Sequence, residues 1–181
     1  MRYGMDVIEL RTPVSRETLK DLKAGDRVRL TGTLFTGRDA AHKRLIAALD
    51  AGETAPVDLA GQLIYFVGPC PAPPGRPVGS AGPTTSYRMD AYSPRLLREA
   101  GLLGMIGKGD RSDAVIAAMK ETGAVYFAAT GGAGALIALR VKKCEVAAYA
   151  DLGPEAIYKM EVEDLPLVVA IDASGNDLYR R

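Results

Sequence analysis

The 181-residue chain contains no tryptophan, one histidine, three phenylalanines and two cysteines. Two cysteines, Cys70 and Cys144, are too few for a disulfide scaffold and suit a cytoplasmic location. They are also too few for the three or four thiolates that hold an iron–sulfur cluster. Charge of one sign is missing as well. Lys and Arg number 23 against 22 Asp and Glu, a net charge of +1, which provides no global field for nucleic acid or an anionic membrane. No apolar run reaches the roughly 18 residues of a transmembrane helix, and the N-terminus has no apolar signal core. What is present is 48% hydrophobic and 25% charged, an ordinary globular composition. A chain of this length buries roughly 70% of its extended surface. The expectation is one domain over residues 1–181, binding neither nucleic acid nor membrane.

Residues 27–35, RVRLTGTLF, alternate apolar and polar and predict a strand. RDAAHKRLIAALDAG follows at 38–52, where Ala41, Leu45, Ala48 and Leu49 have helical spacing and Gly52 is a stop. Leu63 to Val67 predicts a short buried strand. The next segment, 68–83, has Pro or Gly at ten of sixteen positions. Missing donors and costly ordering exclude helix and central strand there, and a shaped functional loop is expected rather than a linker. Beyond it, Leu102–Ile106 reads as a strand, Ser112–Thr122 as a helix, Ala124–Ala129 as a strand and TGGAGALIALR as a small-residue helix or turn. Val141–Tyr149, Ala156–Val162 and Leu165–Ile171 read as three more strands, and Gly175-Asn176 as a turn. This alternation predicts an α/β sheet domain.

Four segments join small residues to isolated charges at predicted strand-to-helix junctions: Gly37–His42, Gly82–Asp90, Gly107-Lys108-Gly109 and Thr130–Gly134. In open α/β sheets ligands bind at such ends, where helix N-termini offer N–H groups to anions. Arg38, Arg88 and Lys108 add three cations, a set suited to a small dianion such as a dicarboxylate or a phosphate. Each feature also has a plain structural reading. Arg38 could be a solvated charge, Thr84, Thr85 and Ser86 helix caps, and His42 a surface residue. GKG lacks the phosphate-loop spacing, TGGAG could serve close backbone packing, and Cys70 an inert thiol. The residues alone predict an anion-binding α/β domain.

LTGTLFTGRDAAHKR, YFVGPCPAPPG, VGSAGPTTSYRMD, IGKG, YFAATGGAGAL and EAIYKMEVEDLPLVVAIDASGNDLY occur in that order. Together they resemble the β subunit of the iron–sulfur-dependent class I fumarate hydratases and L-tartrate dehydratases, which corresponds to the C-terminal domain of the single-chain forms. The resemblance covers about residues 18–179. It implies a single swivelling β/β/α domain and reversible trans addition of water to a carbon–carbon double bond, fumarate to (S)-malate in the tricarboxylic acid cycle. It further implies a 4Fe-4S cluster bound by three cysteines of an α subunit, with one iron open to substrate as a Lewis acid. This chain would supply no metal ligand. Met1 directly before the domain suggests a separately encoded subunit awaiting its α partner, and a β–β homodimer is a further expectation.

Carried over position by position, Arg38, Arg88 and Lys108 match the residues that bind the substrate carboxylates. Thr84 matches the proposed catalytic base, so the catalytic set is Thr84, Arg88 and Lys108. A threonine hydroxyl is a very weak base, so an α-subunit carboxylate is expected to activate it. Asp39, His42, Thr85, Asp90, Gly131 and Gly132 are expected to support the site. GRDAAH, TGGAGAL and EAIYKMEVEDLP are closer to the fumarase branch. The alternatives are an L(+)-tartrate dehydratase β subunit, taking tartrate to oxaloacetate and water, and a non-catalytic dicarboxylate-binding module.

Overall fold

The computed structural model describes residues 7–129 and 133–180. Its two longest strands, β2 (Arg27–Thr36) and β7 (Ile157–Ile171), pair antiparallel from Arg27 opposite Val168 to Phe35 opposite Lys159. The other strands are β1 (Ile8–Arg11), β3 (Leu63–Tyr65), β4 (Gly104–Gly107), β5 (Val125–Ala128) and β6 (Val141–Ala148). The sheet order is β1-β2-β3-β4-β5-β7-β6, with β2 also paired to β7. That extra pairing closes β2, β3, β4, β5 and β7 into a small barrel, so the fold is mixed α/β. Strands β2 to β5 run parallel, whereas β7 returns antiparallel to both β5 and β2.

Alternate side chains of the short parallel strands enter two separate cores. Leu63, Tyr65, Ile106, Val125 and Phe127 join Leu30, Leu34 and Met160 in one cluster. Their neighbours Ile64, Phe66, Met105 and Tyr126 join the helices in the other. Burial on both faces accounts for the unbroken apolar runs of these strands. Helices α2 (Asp39–Asp50), α3 (Ser93–Glu99) and α4 (Asp113–Thr122) cover the second cluster through Ala41, Leu45, Leu96, Leu97, Val115 and Met119. Ser112 caps α4 at the Val115 N–H, and Gly123 ends it at φ +76°. Two short helices, α1 (Arg16–Leu19) and α5 (Gly134–Ala138), complete the set.

Residues 68–83 contain neither helix nor strand, as the Pro/Gly content requires. Backbone bonds between Cys70 and Ser80 (2.9 Å) and between Gly79 and Cys70 (3.0 Å) nevertheless pin the loop. The C-terminal strands differ from expectation. Two strands were expected at 156–162 and 165–171, but β7 is continuous. Asp164 sits in it at φ +52° and donates its N–H to Thr31 Oγ1 at 3.0 Å. Opposite, the β2 register shifts between Leu30 and Gly32, the latter at φ +127°. These facing irregularities let both strands bend without ending. Strand β1 and helices α1 and α3 have no counterpart in the sequence reading. Among the described residues, no helix is long and apolar enough to cross a membrane.

Candidate functional site

The parallel strands β2 to β5 point the same way, so Thr36, Tyr65, Gly107 and Ala128 mark one end of the barrel. Two of the four motif segments leave directly from that end, Gly37–His42 after β2 and Gly107-Lys108-Gly109 at the end of β4, and a third, Thr130–Gly134, follows β5 in sequence. The fourth returns to it through the proline loop. Thr84 donates its N–H to the Phe66 carbonyl at 2.7 Å, and Thr85 forms an isolated parallel bridge to Lys108. Residues 84 and 85 thus run into the gap beyond β3 and β4, where ligands collect in parallel sheets.

Arg38 is the N-cap of α2, in extended conformation at φ −120°. Its carbonyl accepts from the His42 N–H at 2.9 Å and lies 2.8 Å from His42 Nδ1. A carbonyl only accepts, so Nδ1 carries the proton. The Arg38 side chain crosses Gly68, where a Cβ would stand 2.6 Å from Nη1, and its Nε lies 3.9 Å from Glu155 Oε1. Nε is buried and makes no hydrogen bond. Glu155, in the EAIYKM segment, was not among the expected site residues. Arg88 lies in a 3₁₀ turn, Ser86–Met89, and grips Asp39 through two hydrogen bonds. Asp39 is the residue after Arg38, so both arginines are tied to the start of α2. Lys108 is exposed.

Other expectations change. His42, whose plain structural reading was a surface residue, is fully buried, with its ring edge-on to Phe66 at 5.4 Å. Burial pushes its pKa down to about 4, so it is neutral at pH 7. Thr84 and Thr85 are not helix caps. Thr84 precedes the 3₁₀ turn, and Thr85, at its N-cap, makes no capping bond through its side chain. Thr84 and Arg88 are therefore not stacked on one α-helical face. Ser86 Oγ accepts from Lys108 N–H at 3.1 Å instead of capping. Asp90 accepts from Arg111 Nε at 2.7 Å and from Ser112 N–H at 2.6 Å. Arg111 is 1% exposed, lies over the rings of Phe66 and Tyr126, and donates to Ser93 Oγ at 2.8 Å. This buried arginine carries no sequence signal, because its partners Phe66, Asp90 with Ser93, and Tyr126 lie on three separate segments.

Thr130, Gly131 and Gly132 lie outside the described residues. At Gly134 the close-packing reading holds, since a Cβ there would meet Ser80 Oγ at 2.3 Å and Gly82 N at 3.0 Å. Among the described residues no cluster of three or more His, Cys, Asp or Glu could hold a metal. Cys70 is exposed, and Cys144 is half-buried with its thiol pushed up to about 11 by burial. Two thiols, one on the proline loop and one on β6, are fewer than the three or four thiolates that hold an iron–sulfur cluster, so this chain's donors alone do not fit one.

Three cations and two threonines thus lie on the segments at one end of the barrel's parallel strands. The match to known families is specific. The model described as Fumarase C-terminus matches residues 2–181, and the chain belongs to that family. It is 40% identical over 178 residues to the anaerobic class I fumarate hydratase of Escherichia coli K12, covering 96% of this chain and 32% of that protein. It is 37% identical to fumarate hydratase 2 of Leishmania major, covering 96% and 31%. The chain spans about a third of the length of these relatives. Against a putative L(+)-tartrate dehydratase subunit beta of Methanocaldococcus jannaschii it is 36% identical over 171 residues, covering 92% of this chain and 88% of that protein.

Proposed function

We propose that this chain is the β subunit of a class I fumarate hydratase, catalysing reversible trans hydration of fumarate to (S)-malate together with an α subunit. The observation that carries this reading is the gathering of GRDAAH, GPTTSYRMD and GKG at one end of the parallel strands. Arg38 and Arg88 hold the two substrate carboxylates, Arg88 through the planar fork that suits such a group. Lys108 stabilises the charge that grows on a carboxylate as the C3 proton leaves. The Thr84 hydroxyl receives that proton, its own having passed to a carboxylate of the α subunit. The 4Fe-4S cluster of this reading belongs to the α subunit, since the donors here do not fit it. A swivelling β/β/α domain, a cytoplasmic location and a β–β homodimer belong to the same reading.

A second reading, L(+)-tartrate dehydratase, is favoured by the near-equal length of the tartrate dehydratase relative, of which the chain covers 88%. Its substrate is also a dicarboxylate and would use the same cations. The test is to assemble the chain with its α partner under anaerobic conditions and follow fumarate, malate and tartrate. Fumarate hydration well above tartrate dehydration supports the first reading, and the reverse supports the second. Activity of this chain alone would overturn both.

A further inference from the structure

Tyr126 lies in β5 and is fully buried. Its hydroxyl stands 2.8 Å from the Gly109 carbonyl and 2.9 Å from Ser86 Oγ. The carbonyl can only accept, so the single Tyr126 proton goes to Gly109. Ser86 must therefore donate to Tyr126, and Ser86 Oγ in turn accepts the Lys108 N–H. The result is a closed relay that runs from Lys108 N–H through Ser86 and Tyr126 to the Gly109 carbonyl. It grips both sides of a turn in which Gly109 takes φ +82°. Ser86 also donates its own N–H to the Lys108 carbonyl at 2.9 Å. All of these groups except Lys108's side chain are buried or partly buried, so water offers little replacement.

We propose that Tyr126 is a positioning residue for Lys108, holding the Lys108-Gly109 turn through its hydroxyl and Ser86 so that the ammonium meets a dicarboxylate in a fixed place. This rests on the reading of Lys108 as a substrate-binding residue. Tyr126 touches no substrate. Its effect passes through the turn, and a misplacement of about 1 Å at such a point can cost roughly 100-fold.

The test uses the complex of this chain with its α partner and two readouts. The first is a double-mutant cycle on affinity for succinate, an unreactive dicarboxylate. Tyr126→Phe is expected to weaken binding roughly tenfold in the wild-type background and less than twofold in a Lys108→Met background. The ring and its contact with Arg111 survive, so melting should shift by only a few degrees. The second is amide hydrogen exchange at residues 107–109, expected to accelerate in Tyr126→Phe and in the smaller change Ser86→Ala. Equal loss of affinity in both backgrounds overturns the positioning role, as does unchanged exchange in both variants. A wild-type complex that binds succinate but turns over neither fumarate nor tartrate overturns the proposed function instead, and wild type alone reveals it.

Discussion

Arg88 holds Asp39 side-on, with Nε 3.2 Å from Oδ1 and Nη2 2.6 Å from Oδ2. The pair leaves Nη1 outside it. Asp39 opens α2 directly after Arg38, so one carboxylate orients Arg88 against the segment that carries Arg38. The side chains are 41% and 34% exposed, and a pair that wet stabilises the fold by about 1 kcal/mol or less.

Stability and function should therefore separate at this position. Arg88→Ala is expected to raise KM strongly and lower kcat, a loss of about 2–4 kcal/mol in kcat/KM. Melting should fall by no more than about 4 °C. Arg88→Lys should not restore activity, because an ammonium cannot replace the fork. Steady-state kinetics and calorimetry on the assembled complex check both parts.

Thr84 makes no capping bond, so removing its hydroxyl tests chemistry rather than folding. Thr84→Val keeps the shape and the backbone bond to Phe66. The expected loss is roughly 10²–10⁴ in kcat with KM little changed. Exchange of the malate C3 proton with deuterated solvent should fall in parallel. Exchange at the wild-type rate would move the base to the α subunit.

Gly107 is the last residue of β4, and a Cβ there would sit 1.9 Å from Ser86 Oγ and 2.9 Å from Phe66 Cδ2. Ser86 is buried between the GKG turn and Tyr126 and has nowhere to go. Gly107→Ala is expected to destabilise the chain by about 1–3 kcal/mol. It should also weaken dicarboxylate binding, since Lys108 is the next residue. Chemical denaturation and succinate titration would show these effects together.

His42 is the chain's sole histidine, which makes its pH dependence separable. Its folded pKa, about 4 through burial, lies below the ordinary value of 6.5. The unfolded chain then binds the proton first as pH falls. Stability is full above pH 6.5, declines below it and has lost on the order of 3 kcal/mol once pH passes below 4. His42→Gln keeps a donor near the Arg38 carbonyl and should remove this slope. Unfolding free energies of both proteins at pH 7, 5.5 and 4 give the difference, with the carboxylates common to both cancelling.

The cysteines give a prediction of opposite sign. Replacing both Cys70 and Cys144 by Ala should leave the iron content of the assembled complex unchanged. Loss of about one iron per site would make one of them a ligand.

Local chemistry sufficed for much of this protein. The alternation in 27–35, the helical spacing after Arg38, the helical pattern of 112–122 and the Pro/Gly density of 68–83 each act within a few residues. So do the small-residue turns that carry Arg38, Arg88 and Lys108, and all were legible from the sequence. The closure of the barrel was not, because β2 meets β7 across more than a hundred residues and only the fit of two apolar faces selects that pairing. The same distance hid Arg111 and Tyr126, whose partners come from segments that are adjacent only in the fold. His42 reads as a polar residue on a helix. Its burial depends on Phe66 and Tyr92 arriving from other elements. Local patterns thus determined most of the elements and the turns that carry the cations, whereas long-range packing decided which polar groups lost their water and had to find partners inside the protein.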